Sequence, residues 1–415
     1  MKRYVIIGNS AAGIGAVEGI RQVDRQGEIT IVSDEPHHTY SRPLISYLLL
    51  GKVTEETMKY RSDQFYTENN VRLVHAAAAE IDHKRKQVVL ADSSRIPYDK
   101  LLIATGSSAF VPPFDGLDTV KDKYTFMCLD DAQKLRETLD TDKRILIIGA
   151  GLIGLKCAEG IVKRVSHITV LDLAPRILSS ILDDDGAKLV QAHLESKGIE
   201  FKLSSSVKRF KQNIAFLESG ETLPFDILVL AVGVRPNTAL LNGIAKTERG
   251  IAVNAKSETT VPDIYAAGDC TQTLDVSSGQ HKIMALLPNA YMQGECAGIN
   301  MAGETSAAGN EKTFDKAIPM NAIGFFGLHV ITAGNYMGDV YAESEKGNYK
   351  RLFYQDNRLN GYILIGNVEK AGIYTSLIRE RTPLDSIDFA LVCQKPGLMA
   401  FTKEERMVKL GSAHK

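Results

Sequence analysis

Apolar positions near the start of the chain run on without alternating. Tyr4-Val5-Ile6-Ile7 is continuous and stops at Gly8. A short β-branched and aliphatic run ended by glycine predicts a parallel strand covered on both faces. The Ala-rich stretch that follows Gly8-Asn9-Ser10-Ala11-Ala12-Gly13 predicts a helix. The pattern returns at Ile145-Leu146-Ile147-Ile148, which runs into Gly149-Ala150-Gly151-Leu152-Ile153-Gly154. Two further pairs follow in the same order. Glu28 to Glu35 and His167 to Asp172 each predict a strand ending in acid. Tyr98 to Gly106 and Phe225 to Gly233 each predict a strand ending in glycine. Three matched elements in one order predict a duplicated domain, since the period is too long for a solenoid.

Beyond Phe314 the texture changes. Asn321 to Leu328 and Val330 to Gly334 read as strands with glycine breaks. Tyr349 to Tyr354 and Gly361 to Ile365 read as a hairpin turning at Asp356-Asn357. Val368 to Glu380 reads as a helix stopped by Thr382-Pro383. No catalytic constellation stands out here. Phe325, Phe326 and His329 read as core or loop residues, and Lys403 to Arg406 as a solvated helix face.

The glycine turns carry the candidate chemistry. In G-x-G-x-x-G the first glycine makes the tight turn, the second admits a pyrophosphate, and the third packs helix on strand. Phosphates then sit at the helix N-terminus, where backbone N–H groups and the dipole point at them. The second copy is complete: Gly149, Gly151 and Gly154, with Leu152 and Ile153 opening the helix and Val232-Gly233 ending the third strand. Asp172 is the acid for a ribose hydroxyl. A carboxylate there repels a 2′-phosphate, so NADH is expected over NADPH. Arg176, four residues on, could serve a 2′-phosphate, but Asp172 holds the discriminating position. The first copy has Ser10 at the second glycine, small enough for close approach. A later segment, Thr259 to Asp269, predicts a short strand ending in Gly268-Asp269. Asp269 could reach sugar-like hydroxyls with two acceptor oxygens; taken alone it reads equally as a turn or cap residue.

Composition narrows the class. The chain has 415 residues, enough for two or three domains, and is 44% hydrophobic and 24% charged. That excludes a disordered, collagen-like or disulfide-scaffold protein. A formal net charge of −1 offers no general pull toward nucleic acid or anionic membrane. No apolar run has membrane-spanning length, and the first one ends too early for a signal peptide. The five cysteines are scattered, with neither CxxC nor metal-ligand spacing, so no metal is expected and a cytoplasmic setting is.

The order GxSxxG, Ala104-Thr105-Gly106, GxGxxG, a second strand-to-glycine element and Ala266-Ala267-Gly268-Asp269-Cys270 resembles the flavoproteins of the pyridine nucleotide–disulfide oxidoreductase superfamily. The resemblance spans essentially the whole chain. It implies an α/β fold class: two Rossmann-like dinucleotide-binding domains plus a small α+β C-terminal interface domain. The FAD domain would be discontinuous, 1–115 and 243–313, around an NAD(H) domain at 116–242. Residues 314–415 would form the interface domain and could build a homodimer. Glu35-Pro36-His37-His38-Thr39-Tyr40-Ser41-Arg42-Pro43-Leu44-Ile45-Ser46 is similar to the rubredoxin-reductase and nitrite-reductase-flavoprotein branch. So are Leu287-Pro288-Asn289-Ala290 and the stretch from Gly294 to Gly303. By that resemblance Gly8, Ser10, Ala11, Ala12, Gly13, Glu35, Arg42, Pro43, Ala78, Ala104, Thr105, Gly106, Gly268, Asp269 and Pro288 would hold FAD, with Asp34 the alternative to Glu35.

Cysteine-dependent members of the superfamily need a cysteine pair or a single cysteine on the first FAD helix or just after the second strand. Here that second stretch carries Arg42-Pro43, and the first cysteine is Cys128. Thiol chemistry is therefore not expected. The branch often places a lysine after the serine of RPxLS and a glutamate two residues after the last NAD-motif glycine. These positions hold Tyr47 and Lys156. Lys156 is thus the candidate positive charge near reduced flavin, against an ordinary solvated helix lysine. The expected activity is hydride transfer from NADH to FAD, then electrons to a small redox protein such as rubredoxin or to a small-molecule acceptor. NADH oxidase activity, or service as the electron-input flavoprotein subunit of a larger complex, are the competing readings.

Overall fold

The run Arg3–Ile7 becomes the middle strand of a five-stranded parallel sheet in a computed structural model that describes residues 1–303, 312–345 and 347–409. The strand order is Ile264–Ala266, Lys100–Ile103, Arg3–Ile7, Glu28–Ser33, Val71–His75. Tyr4 to Ile7 are all buried, as a parallel strand flanked on both edges requires. Ile264–Ala266 follows the entire second sheet in sequence, so a remote segment completes the first one.

The second sheet repeats the plan. Its order is Ile199–Lys202, His167–Leu171, Arg144–Ile148, Ile227–Leu230, Lys123–Tyr124, all parallel. In each sheet the strand before the glycine turn is central, with the acid-ended strand on one side and the glycine-ended strand on the other. The duplication extends to single hydrogen bonds. Gly8 N–H donates to Val32 O, and Gly149 N–H to Leu171 O, each at 2.8 Å. Arg3 forks onto Asp99 at 2.8 and 3.2 Å, and Arg144 onto Asp226 at 3.0 and 3.1 Å. These carboxylates also take the Arg3 and Arg144 backbone N–H, locking the start of each central strand to its neighbour.

The helices Ala11–Val23 and Leu287–Ala302 pack unusually closely. A Cβ on Gly15 or Gly19 would overlap backbone carbonyls of Tyr291 and Glu295, and one on Gly294 or Gly298 those of Ala12 and Ala16. Glycines four apart on both helices remove the side chains that normally set interaxial distance. This packing carries the start of the later helix toward the first glycine turn.

Contacts divide the chain into two units: Met1–Leu178, Glu195–Thr273 and His281–Phe314 form one, and Ser179–Leu194, Leu274–Gln280 and the residues from Asp315 on form the other. The second unit is built on an antiparallel sheet ordered Met320–Phe325, Leu328–Gly334, Arg358–Ile365, Asn348–Gln355, Asp339–Glu345. Asp356 and Asn357 turn the expected hairpin with φ of 52° and 57°, the left-handed pair that a two-residue turn needs. Leu352, Tyr362 and Leu364 pack against Tyr374, Leu377 and Ile378 of the helix Ala371–Arg379. That helix starts later than the expected Val368, because Lys370 adopts φ 61° and Glu369 N–H bonds Asn367 Oδ1 in a turn. Phe325 is core, Phe326 sits in a two-residue turn with φ 48°, and His329 is exposed. Among the described residues no helix is long and apolar enough to cross a membrane.

The Arg3 fork pulls the Asp99 carboxyl down to about 2. A carboxylate depressed in the folded state stabilises above its unfolded value of about 3.9 and loses that contribution as pH falls toward the folded value. Asp99→Asn is therefore expected to lower Tm at pH 7. The deficit relative to the parent should shrink between about pH 4 and pH 2, as read by thermal denaturation across pH.

Candidate functional site

A cavity of about 470 Å³ opens at the carboxyl ends of Arg3–Ile7 and Lys100–Ile103, where the strand order of the first sheet reverses direction. Open parallel sheets bind ligands at that switch point, and the volume suits a cofactor. The glycine turn supplies Gly8, Ser10, Ala11 and Ala12 to its wall. Asp34 and Glu35 come from the end of Glu28–Ser33, and Arg42 and Ala78 from the connections beyond. Ala104-Thr105-Gly106 and Gly268-Asp269 close the other side. Gly13, Pro43 and Pro288 do not line it.

Backbone approach dictates the turn. Gly8 has φ +122°, and a Cβ there would overlap the Ala104 carbonyl oxygen. A Cβ on Gly13 would overlap the Gly8 carbonyl, so Gly13 serves helix-on-strand packing. The helix Ala11–Val23 has no side-chain cap at Ser10 and no acid in its first turn. Its positive end therefore meets the cavity without a carboxylate of its own turn competing for an anion. Leu287 and Ala290, in the first turn of Leu287–Ala302, line the cavity too, and that helix also lacks a side-chain cap.

Asp269 faces this space with one hydrogen-bond partner, the Ser107 hydroxyl at 3.5 Å. Burial raises its pKa, opposed by the positive charge of Arg42. A half-buried carboxylate with spare acceptor capacity suits a ligand bearing hydroxyls. The Glu35 carboxylate is otherwise occupied: it accepts the Tyr40 hydroxyl at 2.6 Å and pairs with Arg42. Asp34 is exposed at the cavity edge. These features fit a dinucleotide of FAD type.

The cavity also has walls that the motifs did not mark. Asn237 contributes, held by mutual bonds with Thr105: its Nδ2 donates to Thr105 O at 2.9 Å, and Thr105 Oγ1 donates to Asn237 O at 2.7 Å. It follows the strand Val234–Pro236, which pairs antiparallel with Ser107–Ala109. These are the two crossings between the sheets. Met127 lines the wall as well, beside His37 and Tyr40 of the Glu35 to Ser46 stretch.

The second glycine turn repeats the first. Gly149 has φ +113°, and its Cβ would overlap the Ala231 carbonyl; a Cβ on Gly154 would overlap that of Gly149. Gly151, at φ −82°, has nothing within 4 Å of a Cβ, which leaves the approach to the helix open. Leu152 and Ile153 begin the helix Leu152–Ile161, again with no side-chain cap and no first-turn acid. Asp172 accepts Ala150 N–H at 2.6 Å and Ala174 N–H at 2.8 Å. The expected ribose acid thus also orders the turn. Val232 and Gly233 follow Ile227–Leu230 on the opposite side.

Lys156 does not line the cavity. Its ammonium lies 4.3 Å from the centre of the Tyr47 ring and pairs with Glu159, a buried carboxylate one turn along. The two substituted positions therefore meet each other. All five cysteines are unpaired. Burial pushes the Cys128 and Cys270 thiols up to about 11, so neither is a thiolate near neutral pH. Among the described residues no cluster of three or more His, Cys, Asp or Glu could hold a metal.

Residues 2–294 match the family model described as pyridine nucleotide-disulphide oxidoreductase, and residues 319–382 that of the rubredoxin NAD+ reductase C-terminal domain. The chain belongs to the pyridine nucleotide-disulphide oxidoreductase family. It is 33% identical over 395 residues to the NADH-dependent phenylglyoxylate dehydrogenase subunit epsilon of Aromatoleum evansii, covering 92% of each chain. It is 27% identical to the NADH-rubredoxin oxidoreductase of Clostridium acetobutylicum, over 88% of this chain and 91% of that one. It spans only about half of two longer Bacillus subtilis relatives, 50% and 48% of their lengths. Its fold superposes with a TM-score of 0.86, at 22% identity, on a chain of the covalent putidaredoxin reductase–putidaredoxin complex, covering 100% of this chain and 99% of that one.

Because the Gly154 position is filled by backbone and not by a movable side chain, Gly154→Ala is expected to destabilise the fold by about 1–3 kcal/mol. Gly151→Ala, with open space at the Cβ, should leave stability nearly unchanged. Denaturant titration of the two variants checks the contrast.

Proposed function

We propose that this protein is an NADH:acceptor oxidoreductase with FAD in the first nucleotide site and NADH in the second. The observation that carries the reading is Asp269, a half-buried carboxylate whose hydrogen-bond partner among the described residues is the Ser107 hydroxyl, lining the same cofactor-sized cavity as an uncapped helix start. Bound FAD would accept a hydride from NADH and release electrons singly or as a pair. The chain's part is binding and orientation. Ser10 to Ala12 would receive the FAD phosphates, Asp34 and Asp269 its sugar-chain hydroxyls, and Thr105 and Asn237 would hold the wall. Gly151 to Gly154 would receive the NADH pyrophosphate, and Asp172 the ribose. A small redox protein such as rubredoxin is the acceptor this reading favours, supported by the matched C-terminal domain and the Clostridium relative. Unpaired thiols support a cytoplasmic setting.

One observation favours a second reading. The Aromatoleum relative, matched over 92% of its length, is named as a subunit. A chain of this design could feed electrons to a larger complex in place of a diffusing carrier. Co-purification with partners, and slow turnover without them, would select that reading.

The test is anaerobic. NADH should bleach the FAD absorbance of the loaded protein, and reoxidation by rubredoxin, ferredoxin, quinone, nitrite and oxygen should then rank the acceptors. Absence of bleaching would sink the proposal. Asp269→Asn should raise the Kd for FAD by about tenfold or more, the loss of a charge-assisted hydrogen bond. The kcat/KM should be higher with NADH than with NADPH. In Gly151→Ala the KM for NADH should rise with FAD content intact.

A further inference from the structure

The cavity-lining loop from Glu35 to Arg42 is stitched to the chain that enters the second sheet. Tyr40 is 9% exposed. Its hydroxyl donates to Glu35 Oε2 at 2.6 Å and accepts the Leu129 N–H at 2.9 Å. Arg42 pairs with the same Glu35 and donates to the Met127 carbonyl at 3.1 Å. Its guanidinium lies 5.5 Å from the centre of the Tyr40 ring. A further tie joins His37 Nε2 to Asp130 Oδ1 at 2.5 Å. Met127 to Asp130 lead from the edge strand Lys123–Tyr124 into the helix Leu129–Thr138. The same side chains therefore have two duties. Glu35, His37, Tyr40 and Arg42 line the cavity and also hold the lead-in to the second nucleotide unit.

We propose that Tyr40 is a positioning residue, coupling occupancy of the cavity to the placement of the Met127–Asp130 segment through Glu35 and Leu129. The proposal rests on the reading of the cavity as the FAD site. A ligand against Arg42 and Glu35 restricts both side chains. Once restricted, they hold Tyr40 and the Met127 carbonyl at less entropic cost, and the segment tightens. Burial raises the Tyr40 pKa far above neutrality, so the hydroxyl keeps its proton and sustains both bonds. The coupling is reciprocal: what FAD does for the segment, the segment does for FAD by the same factor. A residue that merely supports the fold would show no such equality.

The decisive measurement is backbone hydrogen exchange in the full-length protein, with and without FAD, at the peptide spanning residues 125–131. FAD loading should slow exchange of the Leu129 amide by about fivefold, what one net hydrogen bond supplies. Tyr40→Phe is compared with the parent at FAD concentrations that saturate both proteins. The FAD-dependent protection at Leu129 should vanish, and the Kd for FAD should rise by about the same fivefold. Glu35→Gln, which keeps an acceptor oxygen for Tyr40, should retain part of the response. If FAD protects residues 8–13 of the parent protein but leaves 125–131 unchanged, the coupling is wrong and the cofactor reading stands. A response that survives in Tyr40→Phe also overturns the role of Tyr40. If FAD does not load the parent protein at all, the cofactor reading itself falls.

Discussion

The structure depends on one close approach of backbone to backbone. At Gly8 the chain leaves its strand with φ +122° so near the Ala104 carbonyl that a Cβ has no room. The Gly8 N–H is fixed at the same point by Val32 O. Three strands are thereby held together at their carboxyl ends, and a helix start is left without a cap of its own. An anion-binding end and a cavity follow from that geometry. The arrangement is made a second time at Gly149, with Leu171 and Ala231 in the corresponding places.

Two nucleotide sites serve electron transfer only if the units carrying them are held together, and short polar connections do that. Ser107–Ala109 and Val234–Pro236 form a two-stranded ribbon from the two crossings. Asn237 ends the return crossing and bonds Thr105 on the outward one. Tyr40 and Arg42 add a second set of ties, to Leu129 and Met127. The helices Ile45–Leu49 and Leu152–Ile161 meet where Tyr47 faces Lys156. The burial that raises the Cys128 and Cys270 pKa values removes their thiolates from play near neutral pH.

The charged residues show how context reassigns chemistry. Glu35 and Asp34 are adjacent acids at one strand end and are indistinguishable as letters. In the fold, Arg42 and Tyr40 claim the Glu35 carboxylate, while Asp34 stays exposed at the cavity edge. Lys156 reads as a lone replacement for an acid, yet Glu159 supplies a buried carboxylate one turn along and Tyr47 supplies the ring on which the ammonium sits. In both places the nearest partner in space decides what the charge does.

Sequence by itself determined the elements whose physics is local. Unbroken apolar runs ended by glycine marked the central strands, because burial on both faces leaves no alternation. Asp356-Asn357 marked a turn, because those residues tolerate left-handed φ. The duplicated order marked Asp172 as an acid at a strand end, the separate Thr259 to Asp269 segment marked Asp269, and the Arg42-Pro43 stretch argued against thiol chemistry. Tertiary structure alone decided what depends on distant partners. The exposed edge strand Asp339–Glu345 has little alternation to read, since nearly all of it faces solvent. The glycines at 15, 19, 294 and 298 became a helix contact only when Leu287–Ala302 met Ala11–Val23. Asn237 reached the cavity from the return crossing, Tyr40 from the loop after Glu28–Ser33 and Met127 from the segment before Leu129–Thr138, routes that no local period encodes. A side chain's type states which bonds it can make; the closed fold selects the one it makes, through the desolvation that leaves few other partners within reach.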